Sequence, residues 1–276
     1  MSIVAISETA GSLGNEIGRR LAESLGWGFA DREIIAKAAE RFGADLADVR
    51  HSAEERPSFW ERFSDSHRRF KAFVEASVFD MAAHDNVVLA GLASTLALRD
   101  VRHALRVRTN APERDRAARI QDQQGLTPEA ALEVVRQTDR ERAARVKFLY
   151  HVDVDDPLLY DVVLNTERVT VDEGARYIRE IIRGERFRPT EGSRAGLVDL
   201  SLVAQARALF MADPALSGHQ LFVSATGGQV SLSGSVRTEE ERRTAQSRVA
   251  GLPGVRNVLN EIIVVAVPPE TFRPGV

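Results

Sequence analysis

Cysteine is missing altogether from this chain of 276 residues. Its absence excludes disulfides, thiolate nucleophiles and cysteine-ligated zinc, and makes a reducing compartment the simple expectation. A basic excess is missing as well. With a net charge of −3 and a pI near 6.1, the chain does not read as one that coats nucleic acid, and no nucleic-acid partner is expected. Long hydrophobic runs are also scarce: no window reads as approaching the roughly 18 apolar residues that a bilayer crossing needs. The first apolar run, Ile3-Val4-Ala5-Ile6, is short and has no basic residue before it. Neither a signal peptide nor an anchor is expected, and a cytoplasmic location is the default. What is present is an ordinary globular composition, 43% hydrophobic and 28% charged, in a chain long enough for two modest domains.

The most informative stretch is Ser7-Glu8-Thr9-Ala10-Gly11-Ser12-Leu13-Gly14-Asn15-Glu16-Ile17. It follows the apolar run, which reads as a strand, and leads into Ile17, Leu21, Ala22 and Leu25 on one helical face. Strand, glycine-rich turn and helix present backbone N–H groups and a positive helix end to a phosphate. The complete phosphate-loop pattern ends in Gly-Lys-Ser/Thr, where the lysine reaches the transferred phosphate and the hydroxyl holds magnesium. Here Gly14, Asn15 and Glu16 stand in those places, so the framework is kept without its cation. Gly11, Ser12, Gly14 and Asn15 are the candidate cofactor-binding residues, acting through backbone N–H groups.

Downstream, short strands alternate with helical patterns. Strands are expected over 26–30, 86–91, 103–109 and 161–165. Helices are expected from Asp31, over about 57–83, from Pro112, from Thr127 to about Tyr150, and over 171–182. This grammar implies a parallel sheet with right-handed crossovers. Phe59, Phe63, Phe70, Phe73 and Val74 fall on one helical side and read as core. Residues 184–197 read as a linker. Beyond it come a helix near Leu200–Ala208, a strand at 220–224, a Gly227-Gly228 turn, an alternating strand at 229–236, a Thr238/Glu241 capping box and a last strand over 258–267. Domains are therefore expected at 1–183 and 198–267, with a tail over 268–276.

Residues 1 to about 183 resemble the cytidylate kinase-like family of phosphate-loop nucleotide kinases. The resemblance rests on the loop above, on Asp31-Arg32-Glu33-Ile34-Ile35, on Thr138-Asp139-Arg140-Glu141-Arg142-Ala143, and on Asp156-Pro157 followed by 160–166. It implies a three-layer α/β/α fold, ATP and Mg2+ as cofactors if the protein is active, a pyrimidine monophosphate acceptor, and a lid whose arginines neutralise the transferring phosphate. Arg140, Arg142 and Arg145 are the candidates for that catalytic role, since a guanidinium pairs two phosphate oxygens. Asp139, three residues before Arg142, is placed to orient it; the equally weighted alternative is a solvated helix face steadied by Asp139 and Glu141. Asp31 and Asp161 are candidate substrate-binding groups at the ligand edge of the sheet, each also accounted for as a cap or strand end. His151 with Asp153 and Asp155 is too sparse for a metal site, and no metal is expected.

Three positions depart from the kinase pattern: Gly14 for the lysine, Leu92 for the arginine of the acceptor site, and Ala90 for an aspartate. Substituting Gly14→Lys with Leu92→Arg is expected to raise affinity for ATP and CMP. Residues 198–267 resemble the BON domain, through Val223, the segment 228–236 and Gly254-Val255-Arg256-Asn257-Val258-Leu259-Asn260. That resemblance implies an αββαβ module that contacts a phospholipid or a protein partner, and a homo-oligomer is left open. The wet face of Gln229, Ser231, Ser233 and Ser235 reads as a docking surface. The expected function is binding of a nucleotide or other phosphate ligand with weak phosphotransferase activity at most; the alternative is a catalytically silent pseudokinase that serves as a scaffold or sensor.

Overall fold

The computed structural model describes residues 2–31, 34, 40–42, 65–84 and 86–265. It divides into two compact units, 1–197 and 198–276. The first holds a five-stranded, all-parallel sheet in the order β2-β3-β1-β4-β5. Its strands are β1 (Ile3–Glu8), β2 (Gly28–Ala30), β3 (Val87–Ala90), β4 (Ala104–Asn110) and β5 (Val162–Asn165). Helices α1 (Gly14–Leu25), α2 (Asp65–Ala82), α3 (Leu92–Ala97), α4 (Glu113–Gln124), α5 (Pro128–Tyr150) and α6 (Val171–Ile182) connect and cover it.

Helices α1 and α6 pack together on one face, where Ile17, Leu21, Ala175 and Ile178 meet Val4, Ile6, Val88, Leu105 and Val107. The alternate residues Ile3, Ala5 and Leu89 point to the opposite face and are equally buried. A parallel sheet covered on both sides explains why β1 and β3 read as unbroken apolar runs rather than as alternating ones. Helix ends follow the local chemistry. Thr127 Oγ1 accepts from the Ala130 N–H, and Thr170 with Glu173 closes a reciprocal capping box. Phe70 and Phe73 are core residues; Phe59 and Phe63 lie outside the described residues.

The stretch read as a linker carries structure. Glu185–Phe187 form a 3-10 turn, and helix α7 (Glu191–Ala212) already starts seven residues before the expected boundary at 198. Thr190 and Ser193 exchange side-chain and backbone hydrogen bonds there, a cap that the absence of apolar periodicity hides. The expectation that no segment approaches membrane-spanning length is corrected too. By length and composition alone α7 is long and apolar enough to cross a bilayer, with a mean hydropathy of 1.4 over its most apolar window. Its Leu202, Ala206 and Phe210 are buried in the core of the second unit.

That second unit contains β6 (Leu221–Thr226), β7 (Gln229–Val236), helix α8 (Glu239–Ala250), β8 (Asn257–Asn260) and β9 (Ile263–Val264). Strand β7 is central: β6 pairs with it antiparallel, while β8 and β9 pair with it parallel. The last strand is thus broken in two. Asn260 accepts the Ile262 N–H on its side chain, bending the chain between the two pieces. Val223, Val230, Leu232 and Val236 face Leu202, Phe210, Ala245 and Val249 in the core.

Candidate active site at the end of strand β1

The strands of the first unit end on one edge, and the loop from Thr9 to Leu13 lies there between β1 and α1. This edge, outside the carboxyl ends of parallel strands, is where ligands of open α/β sheets bind. The loop is held through its carbonyls. Arg142 Nη1 donates to the Glu8 carbonyl at 2.7 Å, and Arg116 Nη1 to that of Ala10 at 3.3 Å. Arg119 Nη1 donates to the Gly11 carbonyl at 3.0 Å, and Thr166 Oγ1 to that of Ser12 at 3.1 Å. The Thr9 carbonyl receives both the N–H and the hydroxyl of Ser12. Every carbonyl from Glu8 to Ser12 therefore has a donor from within the fold.

Gly11, Ser12, Gly14 and Asn15 come together as the loop pattern expects, and several of their polar groups are engaged inside the protein. The Ser12 hydroxyl is turned into the sheet, between the Thr9 carbonyl and Thr109. It is fully buried, so the Ser12 side chain ties the loop to β4, while its backbone N–H, the group expected to meet a ligand, donates to the Thr9 carbonyl. Asn15 donates its backbone N–H to Glu8 Oε2 at 3.1 Å and its side-chain Nδ2 to Oε1 at 2.9 Å. Gly14 is the residue that makes room: a Cβ there would lie 2.7 Å from the Glu8 Cβ, 2.7 Å from Thr109 Oγ1 and 2.8 Å from Glu8 Oε2. The Glu8 carboxylate thus rests on the N-terminus of α1. Burial pushes its pKa above the ordinary 4.5, Arg142 and the Asn15 N–H pull it down, and Glu16 adds repulsion.

Beside the loop lies a cleft of about 250 Å³, lined among others by Glu8, Arg108, Arg116, Asp139, Arg142 and Tyr160. That is slightly below the range of small-molecule pockets, roughly 300–1,000 Å³. Arg108, nearly buried on β4, donates to Ser7 Oγ at 2.8 Å and to Asp155 Oδ1 at 3.3 Å. Its guanidinium carbon also stands 5.7 Å from the centre of the Tyr160 ring. Burial raises the Tyr160 hydroxyl above its usual pKa, with Arg108 opposing. Arg116 pairs with Asp139 at 2.6 Å.

Of the three lid arginines, Arg142 lines the cleft. Arg140 does not: it is exposed and pairs with Glu133 at 2.7 Å on its own helix, so the solvated-face reading describes it. Arg145 is half-buried and is absent from the cleft lining. Asp139 pairs with Arg116 instead of orienting Arg142 as expected, because α4 and α5 pack side by side. Asp31 directly follows β2 and so stands at the ligand edge. Asp161 does not. It precedes β5 and accepts from the Arg106 backbone N–H and guanidinium at 2.9–3.2 Å. The expected strand is present, with the aspartate at its opposite end. Asp153 and Asp155 are tied in a turn, and among the described residues no group of three metal ligands occurs.

Glu8, Arg108, Arg116, Arg119 and Tyr160 join the site without having been expected from the sequence. Their signals are in plain view: Arg106 and Arg108 alternate with Leu105 and Val107 along β4, and Arg116 and Arg119 are spaced for one face of α4. A charged side chain in a buried strand needs a partner or a ligand.

Both units of the chain match families of known proteins. The profile of the Cytidylate kinase-like family matches residues 3–168, and that of the BON domain matches residues 199–266. A cytidylate kinase from Methanopyrus kandleri is 29% identical over 180 residues, covering 62% of this chain and 88% of that protein. One from Natronomonas pharaonis is 30% identical over 182 residues, covering 64% and 87%. The crystal structure of an uncharacterized protein from Eubacterium ventriosum superposes with a TM-score of 0.53 at 17% identity, covering 66% of this chain and 97% of its own.

Proposed function

Since the chain belongs to the cytidylate kinase-like family, we propose that its first unit binds a nucleotide or related phosphate ester in the cleft beside the loop, with phosphoryl transfer weak at most. The observation that carries this reading is the placement of Arg108, Arg116 and Arg142 around one cleft at the ligand edge of the sheet. Phosphoryl transfer consists largely of positioning and of stabilising spread negative charge, and guanidinium groups supply both. The weakness of transfer follows from position 14. No lysine reaches the phosphates there, and loss of such a group costs two or more orders of magnitude in rate. The residues at the α1 end do not fit the phosphate chain of Mg-ATP as they stand, because the Glu8 carboxylate is already on that helix end. The small second unit, matched by the BON domain, is proposed to contact a protein or phospholipid partner.

Calorimetric titration of the whole chain with Mg-ATP and then with CMP tests the reading. Saturable binding of at least one is expected, together with transfer far slower than in an efficient nucleotide kinase. Binding of neither by the folded protein overturns it. The Glu8 contact favours one second reading, a silent pseudokinase that serves as a scaffold, and that result would support it.

A further inference from the structure

The loop geometry at the end of β1 contains an anion already. We propose that Glu8 is a built-in occupant of the phosphate loop: its carboxylate takes the place of a ligand phosphate on the N-terminus of α1, and a phosphate gains that helix end only when Glu8 is neutralised or swung aside. The inference deepens the phosphate-binding reading and rests on it.

Three independent features meet at Glu8. The first is hydrogen bonding: the carboxylate accepts the Asn15 N–H and the Asn15 side-chain amide, with the Gly14 N–H also directed at it. These are the backbone donors a phosphate would use, at the end of a helix that carries partial positive charge. Steric fit is the second. Gly14 lacks a side chain, and a methyl group placed on it would come within 2.8 Å of both the Glu8 Cβ and Oε2, so the glutamate and the glycine are shaped to one another. The third is anchorage: Arg142 holds the Glu8 backbone carbonyl at 2.7 Å, fixing where its side chain departs.

The charge balance makes the occupant displaceable. Arg142 from α5 favours the ionised carboxylate, Glu16 from α1 disfavours it, and Thr109 from β4 is a neutral neighbour. Arg116 and Asp139 complete the charged lining of the cleft and are committed to each other. Burial raises the carboxyl above its ordinary pKa, so a proton is taken up more readily than by an exposed glutamate. A phosphate approaching the ionised form meets a like charge on its own donors. Approaching the neutral form, it meets none.

The test uses the full chain and inorganic pyrophosphate, titrated calorimetrically at pH 8 and pH 5.5 for wild type, Glu8→Gln and Glu8→Gly. Glutamine removes the charge and glycine removes the side chain, so one variant serves if the other does not fold. At pH 8 the variants are expected to bind at least ten-fold more tightly than wild type, and the ratio is expected to shrink at pH 5.5. Comparison at each pH cancels the titration of pyrophosphate itself. Wild type silent and the variants binding would also support the proposal. Wild type binding while the folded variants bind no more tightly overturns it and leaves the phosphate reading standing. No binding by any of the three folded proteins overturns both.

Discussion

Arg116 and Asp139 meet at 2.6 Å and between them hold both polar groups of Ala10. The Arg116 guanidinium donates to its carbonyl at 3.3 Å, and Asp139 Oδ1 accepts its N–H at 3.4 Å. One ion pair between α4 and α5 thereby sets the position of a loop that belongs to neither helix. Removing one partner leaves a largely buried charge uncompensated, which is where ion pairs have large effects. Asp139→Ala is expected to lower stability by about 3 kcal/mol, read by urea denaturation. The double variant Asp139→Ala with Arg116→Met should cost less than the sum of the single changes, and additive costs would show that the pair is uncoupled.

Burial of Glu8 makes the stability of the protein depend on pH. Its folded pKa lies above the ordinary 4.5, so its contribution is most favourable when it is protonated and is lost as pH rises through the folded value. Glu8→Gln is therefore expected to raise the melting temperature relative to wild type at pH 7–8, with the difference fading toward pH 4. A gap that widens on acidification would contradict the assignment.

Placing a lysine at position 14, with arginine at 92, is expected to leave affinity for ATP and CMP no higher, against the gain expected from the sequence, because the space at position 14 is taken. Any Cβ at 14 meets Glu8 and Thr109 Oγ1 at 2.7 Å. Gly14→Ala is expected to destabilise by about 1–3 kcal/mol, despite alanine being the better helix former. Combining it with Glu8→Gly should recover part of that loss, and a double-mutant cycle by chemical denaturation measures how much.

Two arginines on one helix should behave differently. Arg142 reaches the loop, whereas Arg140 faces solvent with Glu133. Arg142→Ala removes a charge-assisted contact of about 1.5–3 kcal/mol, so nucleotide affinity is expected to fall ten-fold or more. Arg140→Ala should change it less than two-fold. Equal effects in calorimetry would mean that the ligand lies along α5 and not in the cleft.

In the second unit, Gly234 sits at φ 112° against the Gln220 backbone, and a Cβ there would overlap the Gln220 carbonyl oxygen. Gly234→Ala combines a forbidden backbone region with that collision, and is expected to cost more than about 2 kcal/mol. Loss of the β6–β7 pairing, followed by amide exchange, checks it.

Much of the architecture is legible in the sequence because burial is written into periodicity. The unbroken run Val87-Val88-Leu89-Ala90 announces a strand covered on both faces, and Thr238 with Glu241 announces the start of α8. The break between β8 and β9 is not legible, since a single Asn260 side chain turns the chain inside an otherwise continuous apolar stretch. At the site, glycine spacing locates the loop, but side-chain direction is decided by neighbours far along the chain. The direction of the Ser12 hydroxyl is set by Thr109, 97 positions away. Glu8 reads as any loop residue until the missing side chain of Gly14 shows where it goes. Asp161 is easily misplaced because an aspartate beside a strand reads the same at either end.

Strand β1 lies between β3 and β4, with Ile3 beside Val87 and Ala104. Each partner is separated from it by more than 80 residues of chain. During synthesis this strand leaves the ribosome long before either neighbour exists, at about 5–20 residues per second. Its apolar side chains and unpaired backbone N–H and C=O groups must then wait several seconds for partners.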